Sequence, residues 1–432
     1  MSNRAINAIG RRFLFLQGPH GPFFAGLAKQ LTRAGATVGR VGFNSGDQKF
    51  WGRRENFSPY HGTRDRWKAW LEEHLRTTET TDIVCYGASR YFHKVALEVA
   101  REKGLCTHVF EEGYLRPYWV TYERGGTNAQ SPLIGLSLDA MEEALDGRSG
   151  ELRSPPDRWG ETRQHVFWGA VYHAFLMLGR RNFPQYRPHR TPDPQGEFWL
   201  YINKLMSMPA RRMARRLATQ RIRLGHFPYH VVLLQLAHDA NFRDNSNFTS
   251  QRQFLELVFQ GFSDGAPQHH HLVLKAHPLE DGREPLQPLI IKLTQKYSLD
   301  GRIHFVSGGK LAQLLDHAES AVTVNSTSAE QALWRGLPLK AFGQAVYRRD
   351  AFTSNQPLAE FFSSPDQPDI NAYSTYRQFL LETSQIRGGY YSSAGRRRLL
   401  RKLPDLMLSA QSPYEAVLSP SEARGQHLAV VN

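Results

Sequence analysis

Short apolar runs alternate with amphipathic stretches along most of the chain. Arg12–Gln17 is an apolar run ending in Gly18-Pro19-His20-Gly21-Pro22; Phe23–Ala34 follows with helical spacing, and Ala36–Phe43 reads as a second strand after a stop at Gly35. Asp82–Tyr86, a helix over Tyr91–Lys103 and a strand over Cys106–Phe110 continue the rhythm. A second series opens at Tyr229–Gln235 and runs through strands His271–Lys275, Arg302–Val306, Ala321–Val324 and Leu337–Phe342. Helices are expected between them at Gln251–Phe262, Leu311–Ala318 and Ser328–Arg335. Such alternation implies right-handed crossovers and parallel, doubly wound sheets. Roughly 157–223 breaks the pattern with Arg, His, Pro and aromatic residues. The expected fold is therefore α/β, with two Rossmann-like domains and a cleft between them. One domain covers 1–190, joined by helices within 385–410; the other covers 191–384, and 411–432 is a tail.

Composition narrows the class. The 432 residues are 41% hydrophobic and 22% charged, as in a globular protein, and carry a net charge of +14 that favours phosphate-bearing partners. No window is apolar for long enough to span a bilayer, and Met1–Arg12 has arginines but no apolar core of a signal peptide. Cys85 and Cys106 lie in strand-like runs and read as buried reduced thiols of a cytosolic protein.

In doubly wound folds chemistry gathers at the carboxyl ends of strands, and four segments there are unusual. In Gln17–Pro22 the glycines Gly18 and Gly21 allow close backbone approach, and His20 sits between two Gly-Pro steps. Glu111 and Glu112 follow the Cys106–Phe110 strand; two adjacent carboxylates repel, so one pKa rises unless a cation such as Arg116 compensates. Lys275-Ala276-His277-Pro278 leaves its strand extended, with the His277 imidazole available to a phosphate or leaving group. Asn325-Ser326-Thr327-Ser328 opens a helix with hydroxyls and free N–H groups suited to an anion, Glu330 lying in the first turn. His269, His270 and His271 alternate across a strand and cannot share one metal ion.

Taken together, these segments resemble the KpsS-type (LipA/LipB-like) capsule polysaccharide biosynthesis family. The resemblance rests on Phe15–Phe24, Phe43–Trp51, Val109–Glu123, Lys275–Pro278 and Val324–Pro338, with Gly343–Tyr347 and Gly388–Arg396. It implies a GT-B glycosyltransferase, a retaining β-Kdo transferase using CMP-Kdo. By this resemblance Glu112 is the reactive carboxylate, with Glu111 in reserve because relatives carry Asp at the second position. His277, Lys275, Pro278, Asn325, Ser326, Thr327, Ser328, Glu330 and Gln235 are expected to hold the donor. Gln17, Gly18, His20, Gly21, Asn44, Asp47 and Arg116 are expected around the sugar or acceptor. A CMP donor carries a single phosphate, and the sequence has no DxD tripeptide, so no metal or other cofactor is expected.

Arg211, Arg212, Arg215, Arg216, Arg221 and Arg223 crowd one segment. As a helix it places five of them on one arc and Met213, Leu217 and Leu224 opposite. The apolar face either packs on the protein or lies on an anionic membrane; the resemblance, whose acceptor is a phosphatidylglycerol-type lipid, favours the inner face of the bacterial cytoplasmic membrane. No zinc spacing, RNP-type run or P-loop supports nucleic-acid binding. The alternative is a non-catalytic partner of a capsule export complex that holds the lipid-linked glycan.

Overall fold

A computed structural model describes residues 8–52, 55–116, 118–145, 162–186, 217–236, 240–277 and 285–418, with isolated positions 196, 199, 202, 203, 206, 213 and 280. The chain divides into two compact units: Met1–Glu151, Arg158–Leu205 and Gln378–Asn432 form the first, Leu152–Asp157 and Met206–Arg377 the second.

The first unit is built on a seven-stranded sheet. Its strands are β1 Arg12–Phe15, β2 Thr37–Gly42, β3 Phe57–Pro59, β4 Asp82–Tyr86, β5 Cys106–Glu112, β6 Trp119–Glu123 and a late strand, Gln385–Arg387. They lie in the order Gln385–Arg387, β6, β5, β4, β1, β2, β3. β1 to β5 are parallel, while β6 runs antiparallel to β5 and Gln385–Arg387 antiparallel to β6. Helices α1 Phe23–Arg33, α2 Ser45–Trp51, α3 Trp67–Thr77 and α4 Tyr91–Glu102 supply crossovers. The side-chain period of two divides the core. Phe13 and Phe15 join Phe23, Phe24 and Phe110 on one face; Leu14 and Leu16 join Ile83, Cys85 and Val109 on the other. Leu399, Leu403 and Met407 of helix Ser393–Leu408 complete the first layer, so the C-terminal chain is part of this unit's core.

The second unit is a five-stranded, all-parallel sheet. Its strands are β7 Tyr229–Leu233, β8 His271–Lys275, β9 Ile303–Val306, β10 Ser320–Thr323 and β11 Leu339–Ala341, ordered β11, β10, β7, β8, β9. Both units thus have a reversal of strand order beside their first strand, between β1 and β4 and between β7 and β10. Such a reversal leaves a crevice at the carboxyl ends where ligands bind.

Three expectations are corrected. The helix expected over Ser328–Arg335 is a 3-10 turn, Thr327–Ala329, followed by only Glu330–Leu333, because Gly336 turns left-handed at φ 70° and Pro338 follows. The segment 411–432 is not wholly a tail: Pro413–Leu418 is helical and Tyr414 is buried. The irregular middle contains a 17-residue helix, α6 Thr162–Leu178, following α5 Leu138–Leu145. Arg211, Arg212, Arg215, Arg216 and Pro278 lie outside the described residues.

At the amino ends of β4 and β5 a buried polar network ties the sheet together. Both Asp82 oxygens are engaged by Arg11, Nε reaching Oδ2 at 2.7 Å, and His108 Nε2 lies 2.8 Å from Oδ1. His108 Nδ1 meets the Tyr122 hydroxyl at 2.8 Å. Burial alone would raise the Asp82 pKa, but the Arg11 and His108 hydrogen bonds outweigh it and hold the carboxylate well below its usual range. Asp82, Cys106 and His108 are the only grouping of three metal-type ligands among the described residues. The Arg11 guanidinium already fills the carboxylate's coordination space.

Asp82→Asn is expected to lower stability at pH 7 by about 3 kcal/mol, since it leaves Arg11 without its anion. A depressed carboxylate stabilises fully above its unfolded pKa of about 4 and loses that contribution as pH falls through the folded value. Urea unfolding should therefore show the variant and parent converging in acid, and a constant gap would contradict the network's role.

Candidate functional site

In the first unit the ends of β1, β2, β4 and β5 assemble two polar groups. The first surrounds Asp47. Gln17, directly past β1, donates through Nε2 to Asp47 Oδ2 at 3.2 Å and to the Tyr172 hydroxyl at 3.1 Å. Asn44 caps α2 by accepting from Asp47 N at 2.9 Å, and its amide donates to Tyr172 at 2.7 Å. Arg40 on β2 pairs with Asp47 at 3.3 Å. Burial raises the Asp47 pKa against the pull of Arg40, the Phe43 amide and Gln17. Gln17, Asn44, Asp47 and Arg40 are each at most 5% exposed. These residues therefore form the floor under the strand ends, with their hydrogen bonds spent on one another. His20 stacks on Tyr172 with ring centroids 4.4 Å apart and stays half-buried.

The glycines have packing reasons. A side chain at Gly18 would meet Phe24 Cδ2 at 2.6 Å, and Gly21 takes φ 113° with Trp168 3.2 Å from where a Cβ would stand. Both positions let the β1–α1 turn close against aromatic rings.

The second group surrounds the paired glutamates. β5 continues to Glu112, so Glu111 and Glu112 point to opposite faces of the sheet and do not share one turn. Glu112 Oε1 accepts from the Tyr86 hydroxyl at 2.9 Å and from the Tyr391 hydroxyl at 3.0 Å. Its Oε2 accepts no hydrogen bond among the described residues. A carboxylate gripped by one oxygen keeps the other fixed in direction and available to a reacting atom. Glu111 accepts from the Glu112 amide at 3.1 Å. Its pKa is raised to about 7, chiefly by burial and further by the neighbouring Glu112, against the Glu112 amide, Arg116 and Arg90. Burial, more than repulsion within the pair, thus raises Glu111. Arg116 sits beside the pair with Nε donating to Gly113 O at 3.1 Å.

In the second unit the strand-order reversal is spanned by two amides. Gln235, past β7, donates to Asn325 Oδ1 at 2.8 Å and accepts from Asn325 N at 3.1 Å. Ser326 caps the 3-10 turn, its hydroxyl accepting from Ser328 N at 3.2 Å. A single 3-10 turn has little dipole, so an anion there would depend on hydroxyls and amides. Lys275 ends β8 only 4% exposed, with Nζ donating to Ala276 O at 2.8 Å; His277 follows, half-buried. Glu330 turns inward: Tyr376 holds Oε1 and Tyr373 holds Oε2, each at 2.9 Å. It is 3% exposed and has both oxygens engaged by these tyrosines. His270 pairs with His230 at 3.0 Å and His271 with His304 at 2.9 Å, so these neighbours turn to different partners.

Sequence reading missed Arg40, Tyr86, Arg90 and Tyr172. Tyr86 closes an apolar strand and Tyr172 lies in an apolar helix, so neither stands out by type. The one available signal was position: Tyr86 and Arg90 bracket the carboxyl end of β4.

Glu111→Gln keeps the bond from the Glu112 amide and removes the ionisable group. An acid whose folded pKa is raised costs the fold stability from the pH at which the unfolded carboxyl ionises, about 4. The cost is complete above its folded value of about 7, so the variant should match the parent only at about pH 4 and below. At pH 8 it should be more stable by about 2 kcal/mol in denaturant unfolding. Equal stabilities at both pH values would place the Glu111 pKa back near its ordinary value.

Residues 81–391 match the family described as capsule polysaccharide biosynthesis protein. The chain is 32% identical over 398 residues to the Escherichia coli capsule polysaccharide export protein KpsS, covering 90% of this chain and 100% of that protein. It is 30% identical over 382 residues to the capsule polysaccharide modification protein LipB of Neisseria meningitidis serogroup A, covering 88% and 91%. Among solved structures it is similar to the Thermosulfurimonas dismutans KpsC β-Kdo 2,7 transferase, at 14% identity and a TM-score of 0.43, over 92% of this chain and 100% of that one. With 311 consecutive residues inside the family match and two full-length relatives at this identity, the chain belongs to the capsule polysaccharide biosynthesis protein family.

Proposed function

We propose that the protein is a glycosyltransferase that adds a β-linked Kdo residue from CMP-Kdo to a phosphatidylglycerol or lysophosphatidylglycerol acceptor, starting the linker of a capsular polysaccharide. The observation that carries the reading is Glu112, with Oε1 held by two tyrosines and Oε2 unengaged at the end of β5. Glu112 would attack the anomeric carbon or deprotonate the acceptor. His277 and Lys275, with Pro278 and the amide and hydroxyl groups of Gln235, Asn325, Ser326, Thr327 and Ser328, would hold the cytidylate phosphate. Glu111, neutral over much of the range below pH 7, would serve as a proton donor near the same strand end. No metal is needed in this scheme.

Acceptor supply would come from the inner face of the cytoplasmic membrane. No helix among the described residues is long and apolar enough to cross a bilayer. Residues 217–224 are helical, and Met213, Leu217 and Leu224 are 58%, 50% and 69% exposed. Arg221 and Arg223 on the same helix are also exposed. Apolar side chains left in water beside arginines suit an anionic lipid surface better than internal packing. A cavity of about 530 Å³ adjoins this helix, walled by Ile222, Leu224 and Phe227 with Arg223 and His317.

A second reading has the protein as a non-catalytic export or assembly partner, as the name of the Escherichia coli relative, an export protein, suggests. One assay separates the two. Purified protein incubated with CMP-Kdo and a fluorescent phosphatidylglycerol should yield a new glycolipid, and Glu112→Ala should lower its rate by about a thousandfold or more. Lipid binding without turnover by the parent protein would establish the partner role. Wild-type rates from Glu112→Ala would remove the residue from the reaction.

Membrane attachment is read separately, by sedimentation with phosphatidylglycerol vesicles. The pair Leu217→Glu and Leu224→Glu should weaken binding roughly tenfold without changing thermal unfolding. Unchanged sedimentation would contradict the membrane face.

A further inference from the structure

Arg90 is a cation at the first unit's strand-order reversal that makes no ion pair among the described residues. It stands at the cap of α4, four residues past β4, half-buried. Its guanidinium packs over the Tyr86 ring, 5.6 Å from the centroid, and NH1 makes a long 3.5 Å contact with Gln17 Oε1. Among the described residues it makes no ion pair and no other hydrogen bond. A guanidinium has five N–H donors in a planar fork, so most of this one's capacity remains unused.

Asp47 and Glu111 feel its charge, but no neighbouring acid pairs with it among the described residues. Asp47 is satisfied by Arg40, the Phe43 amide, Gln17 and Tyr172. Glu112 Oε1 is held by Tyr86 and Tyr391, and Glu111 holds its proton up to about pH 7. Arg40 is 4% exposed and committed to Asp47, and Arg116 donates through Nε to Gly113 O. The Tyr86 ring that supports Arg90 also carries the hydroxyl that grips Glu112, so the guanidinium is fixed relative to that carboxylate by one side chain.

We infer that Arg90, seated on Tyr86 and steadied by Gln17, is the oxyanion receptor of the first unit's strand-end site, binding a carboxylate or phosphate group of the substrate in bidentate fashion. Planar paired recognition of this kind is the particular use of arginine, and lysine reproduces only its charge. The identity of the anion rests on the transferase reading. The carboxylate of the sugar acid and the phosphodiester of the lipid headgroup are the two sources.

The test is titration calorimetry at fixed ionic strength on the full-length protein. Probes are free Kdo, Kdo methyl ester, dimethyl phosphate and, as a separate control, CMP. Parent protein should bind Kdo or dimethyl phosphate, and Arg90→Gln should weaken that binding roughly tenfold or more, with partial recovery in Arg90→Lys. CMP binding and the unfolding temperature should stay unchanged in both variants. Kdo binding that the methyl ester lacks identifies the sugar carboxylate; dimethyl phosphate binding alone identifies the lipid; binding of both identifies a shared oxyanion site. Failure of both anions to bind, or equal binding by parent and Arg90→Gln, overturns the inference. If the anion binds through Arg90 but no glycolipid ever forms, the transferase reading fails and the receptor remains.

Discussion

The hydrogen bond from a tyrosine hydroxyl to a glutamate in low dielectric recurs at the points where this chain is tied together. Glu123 at the end of β6 is held by Tyr414 and Ser131 on Oε1 and by Tyr114 on Oε2 at 3.3 Å. Glu330 is held by Tyr373 and Tyr376, one on each oxygen. Glu112 is held by Tyr86 and Tyr391, both on the same oxygen. Leaving a buried carboxylate without donors costs several kcal/mol, so each glutamate obliges distant tyrosines to come to it. Tyr391 and Tyr414 thereby tie the C-terminal segment back to the first unit's sheet. The Tyr390 hydroxyl adds a third tie, to Glu111 O at 2.7 Å.

The same interaction is distributed differently among these acids. Glu123 and Glu330 have both oxygens engaged, and burial raises their pKa values to about 8 and about 7. They act as neutral or nearly neutral braces whose lone pairs are spent. Glu112 receives the same number of tyrosine donors with a different distribution. Stacking both donors on Oε1 fixes the carboxylate plane and leaves Oε2 without a donor among the described residues. An equal number of tyrosine donors thus has different consequences, decided by which oxygen receives them.

Much of the fold was legible because apolar period and strand ends coincide. Asp82–Tyr86 and His271–Lys275 match their expected bounds, and α1, α4 and Gln251–Gly265 differ only at their ends. What was not legible has specific causes. α6 is apolar on nearly every side, so it shows no 3.6-residue stripe; Phe167 and Leu178 on it are exposed while Val166 and Tyr172 are buried. β6 lies inside the Val109–Glu123 motif and runs antiparallel, which strand–helix alternation does not anticipate. Gln385–Arg387 is only three residues long and joins the sheet from more than 250 residues away. No local pattern encodes such a pairing.

At the strand ends, sequence marks polar, glycine-flanked residues but not which of them are spent on one another. Gln17, Asn44 and Asp47 are polar, turn-forming and next to glycine, the same signature a ligand pocket has. Coordinates separate the cases by bookkeeping of donors and acceptors. An Asp47 reached by Arg40, Gln17, Tyr172 and the Phe43 amide has few lone pairs left for a sugar. The residues that build the floor must be satisfied for the unit to fold, whereas those that meet substrate must be held yet incomplete. Arg90 and Glu112 meet that second condition, and Tyr86 serves both, its ring under one and its hydroxyl on the other. A cation and a carboxylate positioned by one aromatic side chain keep a fixed separation without neutralising each other, an arrangement that suits the proposed approach of an anionic sugar to a carboxylate of like charge.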